Sequence, residues 1–79
     1  MTFAEELKRI RQRSFLTQEA FAKEVNVSFS TVNRWENGKT KPNLIAMKNI
    51  KEFCDQNNVE YSELEELWLS LGKGDKDSD

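Results

Sequence analysis

TQEAFAKEVNVSFSTVNRWENGKTKPN, residues 17–43, decides the fold. Two apolar stripes of helical period stand here one after the other. Thr17 is placed to cap a helix that buries Phe21, Ala22 and Val25, and Ser28 to cap one that carries Val32 and Trp35 inward. About three residues separate them. Helices that meet steeply over so short a turn need a small side chain at the crossing, and Ala22 supplies it. The turn also needs a residue that tolerates positive φ; Asn26 serves where glycine would be commoner. The second helix stops at Asn37-Gly38, Gly38 taking the left-handed conformation that closes a helix. Pro42 keeps Lys41 out of helical geometry, so Lys39 to Pro42 is a loop.

Helical spacing continues on both sides. Thr2 with Glu5 forms a capping-box pattern, and Phe3, Leu7 and Ile10 follow on one face to about Arg13. Asn43 caps a fourth helix in which Leu44, Met47, Ile50 and Phe53/Cys54 recur at helical steps until Gln56-Asn57-Asn58 breaks it. Ser62 with Glu65 makes a second capping box, followed by Leu64, Leu67, Trp68 and Leu71. Residues 72–79 hold charge and no large apolar side chain, the pattern of a disordered acidic tail. Glycine is scarce and β-branched residues never alternate. The expected fold is therefore all-α, one five-helix domain over residues 1–71.

Composition sets limits on function. At 79 residues and 37% hydrophobic content the chain has room for one modest core, which well-packed helices or a partner subunit must support. The single cysteine, Cys54, allows no intrachain disulfide and, on the inward face of the fourth helix, behaves as a small hydrophobe. With no histidine and one cysteine there is no zinc set, no Cys-His pair and no serine triad, so the expectation is no enzyme, no metal and no cofactor. Glu63, Glu65 and Glu66 follow amphipathic spacing as a solvated face. No signal-peptide pattern and no long apolar run is present, so a cytoplasmic protein without a membrane partner is expected.

The formal charge of −2 at first argues against a polyanionic partner. Its distribution differs: residues 1–41 carry a net +3 and residues 42–79 a net −5. Two readings stand, a basic face for phosphate with an acidic face turned from it, or acidic residues that merely solubilise the last helix.

The residues above describe a helix-turn-helix, and its outward side chains after Ser28 are of kinds that reach a major-groove edge. The stretch resembles the helix-turn-helix of the Cro-like phage-repressor (Xre) family of bacterial regulators. The match rests on Thr17-Gln18-Glu19, Ala22, Val25, Ser28 to Val32, Arg34-Trp35-Glu36-Asn37-Gly38 and Lys39-Thr40-Lys41-Pro42, and extends over roughly residues 5–54. The resemblance implies a lambda-repressor-like fold and a sequence-specific regulator of double-stranded DNA, a repressor, acting as a homodimer on half-sites about 34 Å apart.

Carried over by position, Ser28, Phe29, Ser30, Asn33 and Arg34 are the base readers. Arg34 has the fork that bonds guanine O6 and N7 together; its alternative is a surface ion pair with a glutamate. Phe29 either packs on a thymine methyl or folds back on the core or a dimer partner. Gln18, Asn37, Lys39, Thr40 and Lys41 match the family's phosphate contacts, with plain solubility as the alternative for the lysines. Arg11 and Glu36 resemble a structural ion pair that ties the recognition helix to the scaffold, and Trp35 is core. Leu64, Leu67, Trp68 and Leu71 are candidate dimer contacts, with Leu69 off their stripe. Phe15 stands where the family often has glycine, so the first turn is expected to differ in shape. The rival function is a protein-interaction module, an antitoxin or anti-regulator, whose partner meets the acidic C-terminal half.

Overall fold

The computed structural model describes residues 1–76, and among them the chain forms five helices and no strand. They are α1 (Phe3–Arg13), α2 (Gln18–Glu24), α3 (Phe29–Glu36), α4 (Leu44–Gln56) and α5 (Ser62–Lys76). Side chains at their edges set the starts. Thr2 Oγ1 accepts the Glu5 N–H at 3.1 Å while Glu5 Oε1 accepts the Thr2 N–H at 3.0 Å, a reciprocal capping box. Thr17, Ser28 and Asn43 cap α2, α3 and α4, each accepting the N–H three residues ahead. The second capping box expected from the sequence does not form. The Ser62 hydroxyl donates to Glu60 Oε2 at 2.7 Å, and the Glu65 N–H goes to the Tyr61 carbonyl.

The first four helices all end in the same way. After C-caps Ser14, Val25, Asn37 and Asn57 comes a left-handed residue: Phe15 (φ 61°), Asn26 (66°), Gly38 (72°) and Asn58 (56°). The next N–H then reaches back five residues, Leu16 to Arg11, Val27 to Ala22, Lys39 to Arg34 and Val59 to Cys54, at 2.8–3.3 Å. This is the Schellman pattern, which satisfies carbonyls a helix end leaves open. Leu16, Val27 and Val59 pack from this position onto the core; Lys39 is exposed instead. The expectation of a differently shaped first turn is corrected. Phe15 adopts the geometry a glycine would, with its ring 94% exposed.

The core takes Leu7 and Ile10 from α1, Phe21 and Val25 from α2, Val32 and Trp35 from α3, Ile50 and Phe53 from α4, and Leu64 from α5. Phe21 and Phe53 meet edge to face at 5.3 Å and join α2 to α4. From α4, Asn49 donates to the Val25 carbonyl at the end of α2. α3 packs on both α1 and α2, which fixes the helix-turn-helix to the scaffold. Glu6 is charged yet buried at the core, held by a two-point contact from Arg9 at 2.9 Å.

Three sequence expectations change. Leu44, placed on the inward stripe of the fourth helix, is 72% exposed because the first turn of α4 points it outward. Leu64, placed among the dimer contacts, is fully buried and unavailable to a partner. α5 runs on to Lys76, into the stretch expected as a tail, and residues 77–79 of that tail lie outside the described residues.

Left-handed geometry at a bulky residue costs about 1 kcal/mol, and the exposed Phe15 ring has little packing to lose. Phe15→Gly should therefore raise stability by about that amount, seen in thermal denaturation by circular dichroism as a Tm gain of about 4–8 °C.

Candidate nucleic-acid interface

The start of α2, the outer face of α3 and the loop after it are tied together through one carboxylate. Arg11 reaches from α1 to Glu36 at the end of α3, Nε to Oε2 at 2.7 Å and Nη2 to Oε1 at 3.0 Å. Its Nη1 donates to the Leu16 carbonyl in the α1–α2 turn at 2.9 Å. Both charged groups are withdrawn from water, their side chains 11% and 3% exposed. This two-point geometry in a poorly screened place joins three segments of chain.

A carboxylate only accepts, so Glu36 sets the direction of every amide beyond it. Gln18 turns its Nε2 to Glu36 Oε1 at 2.9 Å, which leaves Gln18 Oε1 to accept from Asn33 Nδ2 at 3.1 Å. Asn33 Oδ1 in turn accepts from Asn37 Nδ2 at 3.1 Å, and the same nitrogen donates to the Asn33 carbonyl at 2.9 Å. The chain Arg11–Glu36–Gln18–Asn33–Asn37 therefore runs in one sense.

Several of the expected interface residues take part in this network. Asn37 gives its amide nitrogen to the Asn33 carbonyl and Oδ1, and its backbone N–H to the Asn33 carbonyl. It is the C-cap of α3. Asn33 lies at the centre of the network with both polar ends engaged sideways, and keeps one amide hydrogen outside these bonds. Gln18 likewise keeps one, at the start of α2 where an anion would lie. Ser28 uses its oxygen as the cap of α3 and bonds Thr31 Oγ1 at 2.8 Å.

Phe29, Ser30 and Arg34 are left outermost on α3. Ser30 and Arg34 stand one turn apart, and the Arg34 side chain makes no ion pair or hydrogen bond among the described residues, against its surface-pair alternative. Phe29 is 52% exposed and does not fold back onto the core. Beyond α3, Lys39 and Thr40 are exposed and Lys41 is half-buried, its Nζ 6.0 Å from the centre of the Trp68 ring. The Trp68 indole N–H donates to the Pro42 carbonyl at 2.7 Å. Trp68, read from the sequence as a dimer contact, thus faces the loop after α3. Its helical spacing with Leu64 gave no sign of this. Leu67 is half-buried against the core, while Leu71 is 40% and Leu69 52% exposed.

No group of residues able to hold a metal ion occurs among the described residues, and no helix there is long and apolar enough to cross a membrane. Burial pushes the Cys54 thiol up to about 11, so at neutral pH it stays protonated and is no nucleophile.

Residues 7–64 match the helix-turn-helix family, a span that takes in α2, α3 and all of the network above. The chain is also 37% identical, over 67 residues, to the HTH-type transcriptional activator BcrR of Enterococcus faecalis. That alignment covers 85% of this chain and 33% of the relative, so the chain spans about a third of that protein's length. No solved structure matches the chain.

Removing Glu36 leaves the Arg11 guanidinium largely buried with its main partner gone. Glu36→Ala should cost about 3 kcal/mol in urea denaturation, and Arg11→Met with Glu36→Leu together should recover part of that loss.

Proposed function

The chain belongs to the helix-turn-helix family of DNA-binding transcriptional regulators, and on that premise we propose that it reads a specific duplex sequence with α3 in the major groove. The observation that carries this reading is Arg34, exposed and unpaired on the outer face of α3 beside Phe29 and Ser30. Gln18 on one flank and Lys39 to Lys41 on the other supply donors for the phosphates on either side of the groove. In this reading Ser30, Asn33 and Arg34 bond base edges, Phe29 packs on a thymine methyl, and Ser28 and Asn37 hold the face in place.

Each subunit offers one recognition helix, so a homodimer on a two-fold operator with half-sites about 34 Å apart is the proposed active form. Exposed Leu44, Ile45, Leu69 and Leu71 supply apolar surface for such a contact. The family resemblance favours repression and the name of the relative favours activation. A site overlapping the promoter should repress, and a site just upstream that brings the protein beside the polymerase should activate. Reporters with the selected site in each position separate the two.

Selection of duplexes from a random pool tests the whole reading; a recurrent two-fold site is expected. Recovery of no preferred sequence would instead favour the protein-interaction module, with those exposed leucines and Ile45 as its surface. On the selected site Arg34→Ala should cost about 1–3 kcal/mol and relax preference at one position. If specific binding is unchanged, Arg34 is not a base reader. Lys39→Ala should weaken all sequences alike and lower the salt dependence by about one unit. Sedimentation that finds only monomer, with and without the selected duplex, removes the homodimer.

A further inference from the structure

The first turn of α4 holds two adjacent aliphatic side chains out in water, Leu44 at 72% and Ile45 at 73% exposure. Beside them an open groove of about 440 Å³ runs between α4 and α5. Its walls are two stripes of the same helical spacing. Leu44, Lys48 and Lys51 line one wall along α4. Tyr61, Glu65 and Trp68 line the other, along α5 and the residue before it. Lys51 Nζ lies 5.9 Å from the centre of the Tyr61 ring and bridges the two walls. Among the described residues the Lys48 ammonium and the Glu65 carboxylate make no ion pair or hydrogen bond, although both line the groove. Each lip thus offers one charge, positive on α4 and negative on α5.

An apolar knob beside a hollow lined by apolar and aromatic side chains, with opposite charges on its lips, is a self-complementary surface. A two-fold axis lays it on its own copy with each knob in a hollow and each cation on an anion. The net −5 of residues 42–79 would set two such halves against each other. Two of the four lysines in that half stand on this one stripe, so the halves meet where they are least acidic. We propose that this groove is where two copies of the chain meet, each inserting Ile45 into the hollow of the other and setting its Lys48 against the other's Glu65. This rests on the homodimer reading above and narrows it to one face, with Leu69 and Leu71 outside the contact. Trp68 in the groove wall bonds the Pro42 carbonyl, so the axis passes beside the loop after α3 in both copies.

The test is sedimentation equilibrium of the full chain without DNA, from micromolar to millimolar concentration. A monomer–dimer equilibrium is expected, and Ile45→Glu should raise its dissociation constant at least about thirtyfold. Lys48→Glu and Glu65→Lys should each raise it about tenfold, because the like charges recur on both sides of the axis. Mixing these two single variants should restore association as a heterodimer, since each offers the charge the other lacks. A contact between Lys48 and Glu65 inside one chain cannot be repaired by mixing. All three positions are exposed, and circular dichroism confirms that each variant keeps its helices. The proposal is overturned if a dimer forms and Ile45→Glu leaves it intact, or if the mixed variants stay monomeric. Weakening by Leu69→Glu in place of Ile45→Glu moves the contact to another face of α5 and keeps the homodimer. A dimer seen only on the selected duplex overturns this interface and also keeps the homodimer; monomer alone on that duplex removes both. Base preference on a single half-site scores the reading of DNA separately from either. A second measurement needs no variant: on dilution of the wild-type chain the amide resonances of Ile45, Lys48 and Glu65 should shift as the dimer dissociates. Dissociation with those amides unmoved leaves the groove to another occupant and also overturns the proposal.

Discussion

The ion pair between Arg11 and Glu36 is the constraint from which the outer face of α3 takes its shape. It costs desolvation on both sides, and two-point geometry with a third bond to the Leu16 carbonyl offsets that cost. What it gives in return is orientation. The carboxylate at the end of α3 compels the amide of Gln18 to point one way, Gln18 compels Asn33, and Asn33 receives Asn37. Side chains that would otherwise flip freely between donor and acceptor faces are set by a charge several residues away. A surface that distinguishes base edges by their donors and acceptors depends on such settings.

The α-helical architecture was legible because it is written locally. Caps at Thr2, Thr17, Ser28 and Asn43, the turn at Asn26 and the stop at Gly38 each depend on residues within a few positions, and each has the geometry its residue type demands. The ion pair became legible only through resemblance to a family, since 25 residues separate its partners. The network beyond it was hidden. Nothing in the spacing of Gln18, Asn33 and Asn37 announces that they meet, because that follows from the crossing of α2 and α3. The periodicity of α5 misled in the opposite direction. Leu64 and Trp68 share a stripe, yet the core takes the first and the loop after α3 takes the second. Ser62 matched a capping box in sequence, but its hydroxyl found the Glu60 carboxylate.

Charge taught a related lesson. A negative total describes how the whole molecule behaves at long range, whereas phosphate contact is decided by a few cations and donors in one place. Lys39 and Lys41 follow α3 directly, and Glu36, the nearest carboxylate in sequence, is already neutralised by Arg11.

The repeated helix ending has a consequence for which partner does the adapting. Two backbone bonds close each of the first four helices, and in three of them an apolar side chain then anchors the exit to the core. The turn of the motif is one of these three, so in the proposed complex α2 and α3 would meet the duplex as a nearly rigid wedge whose ordering was settled during folding. Under that proposal binding would cost this part of the protein little entropy, and the burden of fit would pass to the DNA. Sequences whose groove deforms easily to the fixed wedge would gain over stiffer ones, even at positions no side chain touches. The exception is the ending that places a lysine where its three counterparts place an aliphatic residue. There the exit carries an exposed cation in place of an apolar anchor.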